Sequence, residues 1–529
     1  MASMTNNSLE NKCPRGLVLA AMALSGAAAL TYETVSSKFF SYFFGSSTYA
    51  VSTMLVSFLF GLALGSFLMS RLIKKIKDRR NFFAIIQFII GAYAVLILVN
   101  FNQFSGILEF VYQVFGSGIF LLTLGKFLVG SLYLLLPTLL LGAAFPLAGS
   151  LLIKDTKRAG RDIGTLYSLD TWGAILGALA AGFFLVPLLG LKYTVLIGGL
   201  MNLMSGFLIV RKNVREVSYL FTGAVVLVII FSLLSGGSIP LFAGVNSALT
   251  SSGGKVVFEK NSPYGVVAVL EWEDEEGSVH RHLSIDGRGM CETGGVAAKE
   301  LPHMILANFD KPVDVLNIGA GCGHTVQAIL EHDKAKTIDA IEINPSVVKA
   351  ARDYFGEDTG YSLDNERTNL MVEDAVKFLL TTDKTYDAII VTVENSGVTY
   401  SSPLYTVDYF KIIKSRLRDG GIFGIISIFN DYEYVRDLYR SLEEVFSYVY
   451  VTREFGNIPK LIASQKALDV EKIKSNLNFP GSDTFNGFDE NLMGKINNDP
   501  NYSINTLDNP ILEYFGLEKM KEWDLLLKQ

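Results

Sequence analysis

A strand, a glycine-rich turn, a helix and a second strand that ends in an acid follow one another within residues 313–355, VDVLNIGAGCGHTVQAILEHDKAKTIDAIEINPSVVKAARDYF. Gly319, Gly321 and Gly323 close the first strand, where glycine permits a tight turn and lets a ligand approach the backbone. Glu342 ends the second strand about twenty residues later, where a carboxylate can accept hydrogen bonds from both ribose hydroxyls. The segment therefore predicts a Rossmann-like nucleoside site.

The spacing of the turn favours adenosyl ligands over dinucleotides. The glycines follow a GxGxG pattern and not the longer GxGxxG of many dinucleotide sites, and no phosphate-binding lysine follows them. Adenosylmethionine-type ligands are therefore favoured over NAD and ATP. We assign Asn344 to the same site. Glu373 and Asp374 end the third strand and are candidates to accept from an adenine amino group, or are solvated loop acids.

The composition divides the chain into two parts. Half of the 529 residues are apolar and the mean hydropathy is +0.34, with most of the excess before about residue 240. The net charge of -6 gives no basic surface for nucleic acid, so nucleic-acid binding is not expected. The predicted organisation is an N-terminal tail (1–15), a transmembrane helical domain (16–236), a linker (237–255), a small β-strand module (256–300) and a Rossmann-like domain (301–529).

The apolar part predicts a helical bundle in a lipid bilayer. Crossing the hydrocarbon core takes roughly 20 apolar residues. Runs of this kind lie near residues 16–36, 48–70, 82–101, 124–152, 164–187, 190–210 and 217–235. Residues 103–123 form either an interfacial helix or an eighth span. Gly61 and Gly65, and likewise Gly173 and Gly177, recur at a four-residue spacing that lets helices pack closely in lipid. We therefore expect about seven helices.

Basic residues give the orientation of the bundle. They cluster within residues 71–80, 154–161 and 211–215, and such loops face the cytoplasm. Seven spans would then place the C-terminal domain on the outer face, whereas an adenosyl ligand is expected in the cytoplasm. The predicted location is the inner cell membrane, as a multi-pass protein, and the side of the C-terminal domain stays open.

The cysteines predict neither a disulfide framework nor a metal site. Cys13, Cys291 and Cys322 are far apart in the chain, and no CxxC pair occurs. We therefore expect no metal cofactor.

The C-terminal part predicts a β module followed by an α/β domain. Residues 256–288 alternate apolar and polar side chains between turn signals, as short antiparallel strands do. From residue 301 onward, strands alternate with helices. The predicted strands lie near 313–318, 338–343, 369–373, 387–392 and 421–427. The predicted fold is thus an N-terminal transmembrane helical bundle and a C-terminal α/β Rossmann-like domain with a doubly wound parallel sheet.

Several sequence blocks resemble one enzyme family. In the C-terminal part they are NSPYG at 261–265, HLSIDG at 282–287, IEINPSVVKAARDYF at 341–355, YDAIIV at 386–391, SPLYTVDYF at 402–410 and TLDNPILEYF at 506–515. These blocks resemble those of the spermidine synthase family of aminopropyltransferases. The N-terminal blocks LSGAAALTYE, FGSSTYAVSTMLVSFLFGLALGS and LLLPTLLLGAAFPL are similar to those of its membrane-fused, multi-pass members.

The resemblance implies a reaction, and the chain departs from the family where that reaction occurs. Members bind decarboxylated adenosylmethionine, or a relative, as a substrate and transfer its aminopropyl group to an amine in polyamine biosynthesis. The family's catalytic aspartate aligns with Thr392, and Cys322 stands where its glycine-rich turn has an aspartate. Glu394, Glu300 and His303 are candidates for a substitute acid or base. Otherwise Glu394 is a loop acid and His303 a helix-surface or core histidine.

Three functions therefore remain open. The first is membrane-bound transfer from adenosylmethionine or its decarboxylated form to an amine. The second is methyl or aminocarboxypropyl transfer from adenosylmethionine, and the third is nucleoside binding without catalysis, in a sensor or transport protein. The expected partners are the lipid bilayer, a small-molecule nucleoside and an acceptor substrate, with a homo-oligomer as a further expectation.

Overall fold

The computed structural model describes most of the chain in two compact units. The described residues are 13–44, 48–100, 119–153, 155–210, 223, 254–262, 264–274, 276–285, 288–393, 401–427, 429, 431–452, 458–477, 487–508 and 512. The units comprise Met1–Ala243 and Gly244–Gln529. The finer domain boundaries given above stay predictions.

The N-terminal unit is helical. Within the described ranges its helices are α1 (Arg15–Phe44), α2 (Thr48–Leu72), α3 (Arg79–Asn100), α4 (Ile119–Leu152), α5 (Ala159–Ala180) and α6 (Val186–Ile209). A π-helical turn, Ala181–Leu185, joins α5 to α6. Gly190, with a φ of 81°, interrupts the helical backbone near the start of α6.

Four segments of the described chain are long and apolar enough to cross a membrane. They are Arg15–Ser37, Val51–Lys75, Phe127–Leu152 and Thr156–Ile209. The last segment contains two predicted spans, 164–187 and 190–210. The predicted span 82–101 forms α3, which is not among the four, and the span 217–235 lies outside the described residues, as does most of 103–123. The number of seven therefore stays a prediction.

Glycines mediate close helix packing, as their spacing predicts. Gly61 and Gly65 of α2 face α4, and a Cβ added at Gly65 would lie 1.9 Å from Leu139 O. Gly173 and Gly177 of α5 face α1, and an added Cβ would lie 2.0 and 2.1 Å from backbone oxygens of that helix. Helix backbones therefore touch at positions where any side chain would collide.

The C-terminal unit begins with the predicted β module. Its strands are β1 (Lys255–Ser262), β2 (Gly265–Glu273), β3 (Val279–Ile285) and β4 (Arg288–Glu292). They form an antiparallel sheet in the order β1-β2-β3-β4. Val267, Val269 and Leu283 on one face pack against Val347 and Phe355 of the following domain. The module is therefore joined to that domain by an apolar core.

The second sheet has seven strands within the described residues. They are β5 (Val313–Ile318), β6 (Ala335–Glu342), β7 (Thr368–Val372), β8 (Tyr386–Val391), β9 (Leu417–Ile426), β10 (Tyr448–Thr452) and β11 (Lys460–Ser464). Their order is β10-β11-β9-β8-β5-β6-β7. The five predicted strands pair in parallel, whereas β11 runs antiparallel to β9 and β10. The sheet is therefore mixed, and the expectation of a wholly parallel sheet was wrong.

Helices cover both faces of this sheet. They are α7 (Val296–Leu306), α8 (His324–Leu330), α9 (Pro345–Ala350), α10 (Ala375–Thr381), α11 (Val407–Arg416), α12 (Tyr432–Glu443), α13 (Val470–Asn476) and α14 (Glu490–Asn498). Leu316 and Ile318 of β5 belong to one core, and Val315 of the same strand belongs to the other. Because β5, β6, β7 and β8 run parallel to one another, their carboxyl ends meet at one edge of the sheet. Ligands bind at this edge in sheets of this type.

Candidate functional site

The turn after β5 has the backbone conformation that its sequence predicts. Gly319, Gly321 and Gly323 have φ values of 86°, 52° and 99°, in a region that residues with a Cβ rarely adopt. A Cβ added at Gly319 would lie 2.8 Å from Val393 Cγ2, whereas at Gly321 the nearest heavy atom would be 4.0 Å away. The turn is therefore packed on the β8 side and leaves room for a ligand at Gly321.

The carboxylate of Glu342, the last residue of β6, lies buried beside this turn. Its Oε2 accepts a hydrogen bond from the Gly321 N–H at 3.1 Å, and its Oε1 accepts one from the Asn344 N–H at 3.0 Å. Burial raises the pKa of Glu342, and the N–H groups of Asn344, Gly321 and Ile343 oppose part of this rise. Two carboxylate oxygens have about four acceptor sites, so the carboxylate can also accept from a ribose hydroxyl.

Asn344 adds a second polar group next to Glu342. Its Oδ1 accepts a hydrogen bond from the Ser346 N–H at 3.0 Å and so caps α9. Its Nδ2 is buried and has no hydrogen-bond partner among the described residues. An unsatisfied buried donor costs about 1–3 kcal/mol. A ligand oxygen bound beside the turn would satisfy it, which fits the ligand-binding role predicted for Asn344.

The hydroxyl of Thr392 holds the glycine turn in place. Its Oγ1 donates to Gly319 O at 3.1 Å, accepts from Asn317 Nδ2 at 3.2 Å and lies 3.2 Å from Thr325 Oγ1. A hydroxyl has one proton and two lone pairs, so these neighbours use its full capacity. Asn317 was not predicted as a site residue. Its polar side chain in the buried part of β5 was the available signal, because buried polar groups need partners.

Glu373 and Asp374 lie after β7 and contact the start of α10. Glu373 Oε1 accepts from Lys377 Nζ at 2.8 Å, and Asp374 Oδ1 accepts from the Lys377 N–H at 2.9 Å. The Glu373 N–H donates to Glu342 O at 3.2 Å, which keeps the end of β7 beside the end of β6. Both acids are therefore near the carboxyl edge of the sheet, and their contact with an adenine stays a prediction.

The structure describes one of the two other predicted catalytic residues, Glu394 and His303. Glu394 lies outside the described residues. His303 Nδ1 lies 2.8 Å from Nε2 of His332, which follows the far end of α8. Since the seven residues of α8 span about 10 Å, His332 is well removed from the turn at its other end. Burial also lowers the pKa of His303 to about 4. The structure therefore does not bring His303 to the predicted site.

A buried ion pair lies on the helix that borders Thr392. Glu300 of α7 contacts Lys460 Nζ at the start of β11, and both side chains are almost completely buried. Burial raises the pKa of Glu300 to about 7 and lowers that of Lys460. Two residues before Glu300, Ala298 O lies 3.3 Å from Thr325 Oγ1, which in turn contacts the Thr392 hydroxyl. The start of α7, the helix that carries Glu300, therefore lies next to the residues that hold the turn.

Cys291 of β4 and Cys322 of the glycine turn form a disulfide, with their Cα atoms 6.3 Å apart. The expectation that no disulfide forms was wrong. The two residues are separated by 31 positions, and their spacing carries no sign that β4 folds onto the turn. Cys322 is buried in the apolar core that joins the β module to the α/β domain. The disulfide therefore links the module covalently to the candidate site.

Comparison with known proteins gives consistent matches for both halves of the chain. Residues 296–479 match the spermine/spermidine synthase domain. The polyamine aminopropyltransferase of Oceanobacillus iheyensis is 23% identical over 468 residues, which cover 84% of this chain and 84% of that protein. The polyamine aminopropyltransferase of Leptospira interrogans is 22% identical over 520 residues, covering 94% and 97%. A crystal structure of spermidine synthase in complex with the transition state analogue AdoDATO is 20% identical and covers 52% of this chain and 89% of that chain, with a TM-score of 0.37.

Proposed function

Because residues 296–479 match the spermine/spermidine synthase domain, we propose that the chain is a membrane-bound transferase acting on adenosylmethionine or its decarboxylated form. The transferred group is an aminopropyl group and the acceptor is an amine. One observation carries the proposal: the buried Glu342 carboxylate sits between the N–H groups of Gly321 and Asn344, beside an open glycine turn. The relatives in Oceanobacillus and Leptospira, named as polyamine aminopropyltransferases, support the reaction class.

The chain's own residues would bind and orient the nucleoside. Glu342 accepts from the ribose hydroxyls, Asn344 Nδ2 donates to a ligand oxygen, and Gly321 leaves space for the ligand next to the backbone. In the transfer, the amine lone pair forms a bond to the carbon beside the sulfonium, the carbon–sulfur bond breaks with its electron pair going to sulfur, and the amine loses a proton. Holding both reactants in this geometry supplies most of the acceleration.

The N-terminal unit supports the membrane-bound part of the proposal. Large apolar side chains are highly exposed along its helices, among them Phe60, Leu132 and Phe183. Such surface is favourable against hydrocarbon, whereas soluble proteins rarely expose large contiguous apolar areas. Because four segments of the described chain are long and apolar enough to span a bilayer, we propose that the bundle crosses the inner cell membrane. The bilayer, a nucleoside and an acceptor amine are then the partners of the protein.

Thr392 favours a second candidate function. The family's catalytic aspartate aligns with this residue, which has no carboxylate, and its hydroxyl is bonded to Gly319 O and Asn317. A group committed to holding the turn does not serve as the base that removes an amine proton. The second candidate is therefore binding of adenosylmethionine for methyl or aminocarboxypropyl transfer, or for ligand sensing without transfer.

The released nucleoside distinguishes these functions. The detergent-purified full chain is incubated with adenosylmethionine or its decarboxylated form and a diamine, and the products are identified by mass spectrometry. Aminopropyl transfer releases methylthioadenosine from the decarboxylated form, and methyl transfer releases adenosylhomocysteine. A sensor releases neither but is stabilised by the ligand against heat. If adenosylmethionine, its decarboxylated form and methylthioadenosine all fail to raise the Tm, the proposal of a nucleoside site is refuted.

A further inference from the structure

The disulfide between Cys291 and Cys322 involves the segment that contacts the ligand in the proposed function. Cys322 lies between Gly321, whose N–H donates to Glu342, and Gly323. The backbone on either side of Cys322 therefore has the freedom of glycine, which loses more conformational entropy on ordering than any other residue. A covalent bond at Cys322 restrains the turn at its most flexible point.

The other end of the bond is anchored in the β module. Cys291 belongs to β4, which in the described part of the chain pairs with β3, including the register pair Leu283–Cys291. Leu283 is fully buried in the core beneath the turn, and Cys322 is 2% exposed in that same core. The anchor is therefore a hydrogen-bonded strand next to a buried core, and it connects the module to the turn.

We propose that Cys291 is a positioning residue for nucleoside binding, because its disulfide with Cys322 fixes the glycine turn in the conformation that binds the ligand. The inference rests on the proposed nucleoside site and adds redox dependence to it. The oxidised protein binds nucleoside more tightly than the reduced protein, since a preorganised turn pays less ordering entropy on binding. Ordering the backbone of one residue is worth about a tenfold change in affinity.

The redox step is a thiol–disulfide exchange with a dithiol. One thiolate of the dithiol attacks the Sγ of Cys291, because that side chain is partly exposed whereas Cys322 is buried. The bond between the two cysteines breaks, and the second thiol of the reagent completes a cyclic disulfide. Two electrons and two protons pass to the protein, which leaves Cys291 and Cys322 as thiols.

Thermodynamic linkage makes the effect reciprocal. If oxidation strengthens nucleoside binding, then nucleoside must equally favour the oxidised pair. A tenfold difference in affinity corresponds to a shift of about 29.6 mV in the two-electron reduction potential. A disulfide that only stabilises the fold, without affecting the site, would show no such shift.

The experiment measures both sides of this linkage in the detergent-purified full chain. Methylthioadenosine is the probe, since it contains the nucleoside shared by the proposed ligands, and its Kd is measured by calorimetry before and after reduction with dithiothreitol. The reduction potential of the cysteine pair is measured in dithiothreitol redox buffers, with and without saturating probe. The expected results are about tenfold weaker binding after reduction, and a potential that is more negative by about 29.6 mV with the probe.

Cys291→Ser is the matched control, because it removes the disulfide and leaves the turn sequence intact. Its Kd is expected to equal that of the reduced wild type and to be insensitive to dithiothreitol. Reduced wild-type protein provides the same comparison without a mutation, should the variant fail to fold. Equal affinity in both redox states, with an unchanged potential, overturns the positioning role and leaves the proposed function standing. Absence of probe binding in both states overturns both.

Discussion

Replacing Glu342 by glutamine tests the carboxylate on which the proposed function depends. The two carboxylate oxygens accept from the N–H groups of Gly321 and Asn344 at 3.1 and 3.0 Å. Glutamine keeps one acceptor and turns an NH₂ group toward the other N–H. The bond to one backbone N–H is lost in the free and the bound protein alike, and the ribose hydroxyls lose the charged acceptor. For the nucleoside this removes a charge-assisted hydrogen bond worth about 1.5–3 kcal/mol. Since about 1.4 kcal/mol is tenfold in affinity, we expect the nucleoside Kd to rise at least about tenfold.

The assay is calorimetric titration of the full chain with methylthioadenosine, together with a matched control. Asp353→Asn removes an exposed carboxylate whose ion-pair partner is Lys349, at 2.7 Å. The Kd of this variant should stay that of the wild type. Because burial raises the pKa of Glu342, the wild-type carboxylate takes up a proton at a higher pH than an ordinary glutamate as the pH falls. Wild-type affinity should therefore decrease toward acid pH, whereas that of Glu342→Gln should not. Equal affinities of variant and wild type at pH 8 would refute the role of Glu342.

Three further contacts give separate predictions. Thr392→Val removes the hydroxyl that holds the turn and should weaken calorimetric nucleoside binding several-fold, whereas Thr392→Ser should not; equal Kd values would contradict the positioning role. Lys460→Met leaves Glu300 buried without its cation, at a cost of about 3–5 kcal/mol. Burial raises the pKa of Glu300 to about 7 in the wild type, so its carboxyl is mostly neutral at pH 6 and mostly ionised at pH 8, where it needs the cation. The Tm should therefore fall more at pH 8 than at pH 6, and an equal fall would argue against this pairing. Gly142→Ala puts a Cβ 2.1 Å from a backbone oxygen of α2, whereas a Cβ at Gly149 would lie 3.9 Å from its nearest neighbour. Gly142→Ala should therefore lower the Tm, and the control Gly149→Ala should not.

The parallel strands were predictable and the antiparallel edge was not, for a physical reason. The five parallel strands alternate with helices and end in turn signals, so their sequence pattern is clear, and β5 matches its predicted range of 313–318. Strand β11 is only five residues long and every residue in it is buried. Periodicity alone does not distinguish so short a buried run as a strand. Its antiparallel direction depends on pairing with β9, which is a tertiary property.

The same distinction between local and tertiary information applies to the site. The glycine turn and Glu342 were predictable because both belong to one strand–turn–helix–strand unit, in which about twenty residues fix their relation. The disulfide was not, because the meeting of Cys291 with Cys322 requires the β module to pack on the turn. The catalytic role of His303 stays a prediction. Its nearness to Glu300 in sequence suggested a shared site, but the two side chains make separate contacts, one with His332 and the other with Lys460.

Several restraints act on the same short turn, and this determines how combined substitutions should behave. Thr392 holds its first carbonyl, Glu342 holds the N–H of Gly321, and the disulfide of Cys291 with Cys322 holds the next residue. Once one restraint is lost, the turn is already mobile. Loss of a second restraint should therefore cost less affinity than the same loss costs in the wild-type protein. A double-mutant cycle between Thr392→Val and Cys291→Ser, read as methylthioadenosine affinity, is therefore expected to be sub-additive. Additivity within about 0.5 kcal/mol would be typical of independent sites, and would mean that the turn does not move as one unit.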